Sequence, residues 1–343
     1  MGIVAQGINS RFVRELAAEV GFQLAGVSPA GAVPDFDRFR RWVDRGLAGE
    51  MGYLTDHRAG RRSALDHLLP GVKSVISVGR LCPEPREGWM ARYSEGEDYH
   101  VAMRRDLEAL GARLAEHAAH EWRACVDTAP ILERSLAKQS GLGWIGKNTC
   151  IINQKLGSFF LLGELLTTLA LEPDPILDAP PPDRCGTCTR CIDACPTAAI
   201  VPSPDGRFEL DARRCISYFT IELRGSIPEE HRAATGGNVF GCDICQDVCP
   251  WNRHQPASDQ PAPLAELAAL SDTEFRARFR GTALSRMKYP GFLRNIAVAM
   301  GNSGDEEFRE PLARMAASED SMVAEHARWA LGRLDALRLL SND

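Results

Sequence analysis

The stretch CGTCTRCIDACP, residues 185–196, decides how the middle of this chain folds. It sets Cys185, Cys188, Cys191 and Cys195 in a C-x2-C-x2-C-x3-C-P run that ends on Pro196. A second run, CDICQDVCP at 242–250, carries Cys242, Cys245, Cys249 and Pro250, and Cys215 stands in the gap between them. This is the spacing with which two-cluster ferredoxins hold [4Fe–4S] cubanes, the fourth cysteine of a run ligating the other cluster. Three thiolates on one tight loop take three corners of a cube, and the pseudo-symmetric loop must fill the fourth. The spacing therefore predicts one cluster on Cys185, Cys188, Cys191 and Cys249, and a second on Cys195, Cys215, Cys242 and Cys245. Cys215 stands in for the first cysteine of the second run, displaced by an insertion. Zinc ribbons pair C-x2-C motifs without the Cys-Pro ending, and a disulfide framework belongs to a short secreted chain.

Outward from this array the chain is ordinary. Its 343 residues suffice for two or three domains with cores. An apolar share of 44% and a charged share of 25% are those of a globular protein. There is no run of eighteen apolar residues to span a bilayer. The N-terminal MGIVAQGINSRFVREL lacks the pattern of an export signal. Thiolate-held clusters, with Cys82, Cys125 and Cys150 besides, suit a reducing cytoplasm. The net charge of −6 argues against bulk attraction to nucleic acid and leaves room for a local basic patch.

Two proline-rich stretches, Leu171 to Arg184 and Gln255 to Pro263, divide the chain. Before the first, Ser10 is placed to cap a helix that ends at Gly21. Phe22–Val27, Ser74–Val78 and Ala124–Val126 read as strands, and residues 101–119 and 131–140 as helices, which predicts an α/β or α+β sandwich. After the second, Tyr289–Met300, Glu306–Ala317 and Met322–Leu334 read as amphipathic units of a helical repeat, too few to stand alone and expected to pack on the rest.

Clusters carry electrons and offer no substrate site, so the chemistry is expected in the N-terminal part. Asp127 follows the apolar ACV directly, where a strand end holds a carboxyl in a partly apolar pocket with a raised pKa. A structural Asp that ends a strand is the plain alternative. Gly141, Gly143 and Gly146 match G-x-G-x-x-G by spacing, yet a helix precedes them where a dinucleotide fingerprint needs a strand. The nicotinamide reading fails, and the glycines are expected to let backbone approach another cofactor.

Together, VDTAPILER (126–134), GLGWIGKNT (141–149), GSFFLLGE (157–164), the cysteine array and CISYFTIELRGSIPEEHR (215–232) resemble the epoxyqueuosine reductase family, the cobalamin-dependent enzymes of bacterial queuosine-tRNA synthesis. The resemblance spans nearly the whole chain. It implies an α+β protein: a nitroreductase-like cobalamin and substrate domain (1–172), a two-[4Fe–4S] ferredoxin-like domain (173–255) and a HEAT-like helical repeat that binds tRNA (256–343). It makes Asp127 the catalytic proton donor. It implies cobalamin contacts from Asp127, Lys147, Asn148, Thr149, Ile151, Ser158, Ser217 and Thr220, with the ARYSEGEDYH stretch (91–100) close by. Tyr93, Tyr99 and His100 there read equally as core or as pocket. The chain departs from the family at LTDHRAGRRS (54–63), leaving open which of Arg58, Arg61 and Arg62 serves the cofactor site.

From Asp272 to Asn295 six basic residues face two acidic ones, a local charge of +4, interleaved with Phe275, Phe279, Tyr289 and Phe292. Arginines beside rings suit RNA through phosphate pairing and base stacking, and Arg286, Lys288 and Arg294 are the expected tRNA contacts. The expected activity is reduction of epoxyqueuosine to queuosine in tRNA. Its electrons come from an external one-electron donor such as a flavodoxin or ferredoxin. The expected form is a cytoplasmic monomer with no membrane contact. A corrinoid reductive dehalogenase, or an iron–sulfur RNA-binding protein without chemistry of its own, is the alternative.

Overall fold

The computed structural model describes residues 8–340 apart from 86, 256 and 259. The first seven residues of the N-terminal stretch read against an export signal lie outside the described residues. Among the described residues no helix is long and apolar enough to cross a membrane.

A four-stranded antiparallel sheet, in the order β1-β2-β6-β3, organises the first half. Its strands are β1 (Leu24–Pro29), β2 (Ser74–Leu81), β3 (Trp122–Cys125) and β6 (Phe160–Thr167). The short hairpin β4 (Trp144–Ile145) and β5 (Ile151–Ile152) stands apart from it. The helices of this half are α1 (Ser10–Glu19), α2 (Phe36–Asp44), α3 (Arg58–Arg61), α4 (Tyr99–Ala115) and α5 (Glu133–Gln139). One sheet face meets α1 and α4 through Ile76, Val78, Leu165, Val13, Leu16, Met103 and Leu107. The other meets α5 through Val75, Leu166, Cys125 and Leu136. The 3.6-residue apolar period of α4 and the buried strands of the sheet are what the sequence dictates. The α1 cap is Asn9, not Ser10: the Asn9 side chain accepts the Phe12 N–H, and Ser10 is the first, buried residue of the helix.

The cysteine-rich part is built from short pieces, α6 (Arg190–Asp193), the hairpin β7 (Ile200–Pro202) and β8 (Phe208–Leu210), α7 (Glu229–Thr235) and α8 (Ile244–Asp247). A single π turn, Tyr218–Glu222, follows Cys215. The rest is helical: α9 (Leu264–Ala269), α10 (Asp272–Arg278), α11 (Tyr289–Ser303), α12 (Arg309–Ala316) and α13 (Ser321–Leu340). α11 runs on past Met300 through Asn302 and Ser303, and Gly304 closes it in the left-handed conformation. These helices bury Phe275, Phe292, Ile296, Met300 and Leu312 in one core with Trp89, Val239 and Phe240. The last third is thus packed on the earlier parts.

Candidate functional site

Cys185, Cys188, Cys191 and Cys249 line one cavity of about 250 Å³, with Lys147, Arg184, Arg190 and Arg253 around them. Burial, then the neighbouring thiolates of Cys185, Cys249 and Cys188, push the Cys191 thiol up to about 11. Cys242 is pushed up to about 12 by burial and, among neighbouring groups, by Cys215 and Cys195. Thiols so crowded ionise readily only against a cationic centre, so the donor set fits iron. Among the described residues no three His, Cys, Asp or Glu groups converge tightly enough to hold a single metal ion. Sulfurs that surround a cavity suit a cube of four irons. A tetrahedral zinc site, with Zn–S near 2.3 Å, draws them closer together.

The second cavity is wider, about 390 Å³ and open to solvent. Phe39, Trp42, Tyr53, Ile131 and Leu132 give it apolar walls, and Arg62, Asp127, Glu133 and Arg134 stand at fixed points around it. Apolar walls with a few convergent polar groups fit a broad, planar cofactor. Of the three arginines left open by the sequence, Arg62 faces this cavity, while Arg58 pairs with Asp56 at 2.6 Å.

Asp127 sits on the cavity rim in a turn closed by the Ala129 N–H on Val126 O, with φ +30. That left-handed backbone costs about 1 kcal/mol or more in an L residue, and Asp tolerates it better than most. Its side chain is 56% exposed, at the edge of the apolar-walled cavity. What it has is a partner. His100 Nε2 lies 2.9 Å from Asp127 Oδ2 and His100 Nδ1 2.8 Å from Asp98 Oδ1. Arg286 reaches both neighbours, with one guanidinium nitrogen 2.8 Å from His100 Nε2 and the other donating to Asp98 Oδ2 at 3.0 Å. Burial opposes the Asp98 charge, yet hydrogen bonds from His100 and the Arg286 guanidinium hold its carboxyl below the usual range. An ionised Asp98 assigns the Nδ1 hydrogen. Nε2 is then the ring nitrogen that faces both Asp127 Oδ2 and the Arg286 guanidinium. Sequence reading left His100 undecided and missed Asp98. The D-x-H spacing, placed at the start of a helix, was the available signal.

Glu133, six residues on, is a carboxyl with a raised pKa. Its Oε1 accepts the Asp127 backbone N–H at 2.5 Å. Burial, then the Asp127 charge, push it up to about 8 against the pull of that N–H and of Arg134. Glu164 of β6 lies deeper, fully buried, held well above the carboxylate range by burial and by Glu133.

The remaining expected cofactor contacts divide. Thr149 lines the open cavity. Lys147 and Asn148 line the cysteine cavity instead: the Lys147 ammonium donates to Gly186 O and Cys188 O at 2.7 and 2.8 Å, and Asn148 reaches Cys245 O at 3.4 Å. Ile151 is buried against Ala137 and Leu142. The Ser158 hydroxyl donates to Gln246 and accepts from Asn252, and Thr220 donates to Ile216 O from within the π turn. Ser217 is half-buried, within hydrogen-bonding reach of the Cys215 sulfur. The side chains of Lys147, Ile151, Ser158 and Thr220 are therefore committed to the protein itself. The glycines correct likewise. A Cβ on Gly143 would meet Ile152 O at 2.4 Å, and one on Gly157 would meet Asn252 Oδ1 at 2.0 Å. Their bareness lets the cluster loops and the hairpin close on each other.

The basic segment also divides. Arg286 is 45% exposed and Lys288 is exposed. Arg294 is 1% exposed and donates to Phe219 O, Leu223 O and Gly225 O, so it joins α11 to the π turn and cannot meet a phosphate. Phe275, Phe279 and Phe292 are core residues, not stacking platforms, and Tyr289 donates to Leu270 O.

Comparison with known proteins bears on the same residues. A family model described as a 4Fe-4S double cluster binding domain matches 184–252, and one described as epoxyqueuosine reductase QueG, DUF1730 matches 62–128. The epoxyqueuosine reductase of Pseudomonas aeruginosa is 41% identical over 344 aligned residues, covering 94% of this chain and 93% of its own. An epoxyqueuosine reductase solved with a tRNA-Tyr epoxyqueuosine-modified stem loop superposes with a TM-score of 0.83 at 29% identity, over 94% of this chain and 89% of that one. The solved enzyme from Bacillus subtilis, described with an aspartate-bearing catalytic loop swung out of its active site, gives 0.82 at 28% identity, over 94% and 90%.

Proposed function

This chain belongs to the epoxyqueuosine reductase family, and from that premise we propose that it removes the epoxide oxygen of a modified nucleoside in tRNA, converting epoxyqueuosine to queuosine. The observation that carries the reading is the 2.9 Å contact of Asp127 with His100 at the rim of an open cavity. Opening an epoxide to an alkene takes two electrons and two protons. One C–O bond opens and its oxygen takes a proton; the other breaks as the double bond forms, and a second proton makes the oxygen water. The clusters of residues 184–252 pass electrons singly, and the cysteine partition given by the spacing is our assignment for them. Cobalamin, bound in the open cavity, supplies a strong two-electron reagent that no side chain offers.

Asp127 delivers the first proton to the substrate oxygen, and His100, oriented by Asp98 and Arg286, holds it in position. An exposed carboxyl on a turn is also suited to swing, as the described loop of the Bacillus subtilis enzyme does. Lys288 and the outer edge of Arg286 face the tRNA. Arg184, Arg190 and Arg253 give the cysteine cavity a cationic mouth suited to an acidic one-electron donor such as a flavodoxin or ferredoxin. In this reading residues 1–172 hold cobalamin in a nitroreductase-like fold, 173–255 hold the clusters, and the HEAT-like 256–343 meet the stem loop. A tRNA substrate puts the monomer in the cytoplasm.

Protein purified without oxygen should carry about eight iron and eight sulfide per chain from two cubanes. It should also bind one cobalamin and convert an epoxyqueuosine stem loop to the alkene when given a one-electron reductant. An iron–sulfur protein that binds no corrinoid and leaves the epoxide intact would be an electron-transfer scaffold instead.

A further inference from the structure

Two protons are needed per turnover, and in the proposed reaction Asp127, beside His100, delivers the first. The second has a source next door. Glu133 lines the same cavity and is tied to Asp127 through the backbone N–H. Behind it, Glu164 stands on β6 with Ser77 and Cys125 as its cross-strand neighbours, and is 0% exposed. Neither Glu164 oxygen has a hydrogen-bond partner among the described residues. A buried carboxylate without a donor is costly enough that the group takes a proton instead. Two carboxyls in electrostatic reach of each other in such surroundings do not both ionise.

We propose that Glu133 restocks the site: it keeps a carboxylic proton beside Asp127, at the buried end of the cavity in front of Glu164, and passes it to Asp127 after Asp127 has protonated the substrate oxygen. The O–H bond of Glu133 breaks as one forms on the Asp127 carboxylate. The electrons come from the clusters, and bulk water reprotonates Glu133 between turnovers. The inference rests on the epoxide-reducing reading of the cavity. The titratable or charged groups facing Glu133 are Asp127 from the turn, Arg134 on its own helix, Glu164 from β6, Cys125 from β3 and Tyr99 from α4. Arg134 is the only cation among them, and its guanidinium is engaged with Thr149 O at 2.8 Å and Thr149 Oγ1 at 3.0 Å. Burial and the Asp127 charge favour the protonated form up to about pH 8. Glu133 is thus a positioning residue that acts through Asp127.

Glu133→Gln keeps the hydrogen bond to the Asp127 N–H and removes the transferable proton. Single-turnover alkene formation should fall roughly tenfold or more at pH 7.5, a fraction of what a direct general acid contributes. The deficit should shrink toward pH 6, where solvent can restock the half-exposed Asp127. Infrared spectra of the substrate-free protein at pH 7 supply an independent readout. The protonated-carboxyl stretch should lose one component in Glu133→Gln and another in Glu164→Gln. A pH profile of Glu133→Gln that superposes on the wild type, or spectra without those components, overturns the proposal. A wild-type protein that leaves the epoxide untouched would overturn the function instead, while the infrared bands still decide whether the acid pair holds protons.

Discussion

Asp98 and Glu164 are both buried carboxyl groups, 6% and 0% exposed, and they live under opposite conditions. Asp98 accepts from the His100 backbone and ring and from Arg286, so every oxygen has a donor and the charge is held. Glu164 has none among the described residues and faces Glu133 across apolar packing, so a proton replaces the missing partners. Burial alone therefore does not fix the charge of an acid; the donors that burial brings with it do. Asp127 stands between the two, wet on its own side, one contact from the paired network and one from the dry pair.

Removing the partners should break the first half of this contrast most strongly. Asp98→Ala leaves His100 and Arg286 without their acceptor and should cost about 2 kcal/mol or more of stability by denaturant titration. Glu164→Met goes the other way. Replacing an unpartnered buried carboxyl by an apolar side chain of similar length should leave stability unchanged or raise it, by about 1 kcal/mol or more. A stability loss in Glu164→Met equal to that of Asp98→Ala would erase the distinction.

The slope of stability with pH sharpens it further. Glu133, raised from near 4.5 to about 8, keeps its proton when folded and sheds it when unfolded. Its stabilising contribution is whole below about 4.5 and is lost as pH rises through 8. Asp98, held below the usual range, contributes above its unfolded value and loses that as pH falls through its folded one. Between pH 5 and 8 the wild type should lose stability relative to Glu133→Gln by at most about 1.4 kcal/mol per pH unit, one proton's worth. Parallel curves would place no extra proton on Glu133.

The parts of this molecule that were legible in sequence are those whose meaning is local. Cysteine spacing encodes a loop around a cluster, the apolar period of α4 encodes its buried face, and the apolar run before Asp127 encodes a strand end. What was not legible depends on partners far along the chain. Glu164 looks like any acid in a strand until β6 is found between β2 and β3. Arg294 looks like one more charge in a basic run until the π turn presents three carbonyls to it. The glycines of 141–157 signal close approach truly, and only the packed loops say what approaches. Phe275 and Phe279, four residues apart on one helical face, carried a core signal that the neighbouring arginines obscured.

The central claim is that Asp127 and His100 act on the substrate as one proton-carrying unit. Single-turnover reduction of an epoxyqueuosine stem loop, normalised to bound cobalamin, tests it with Asp127→Asn, His100→Ala and the double variant. Asp127→Asn should lower the rate about 10²–10⁴-fold, the range of a general acid. The double variant should be no slower than the slower single, because groups that act as a unit are not additive. Losses that multiply in the double variant, or an Asp127→Asn rate within about threefold of wild type, would contradict the account.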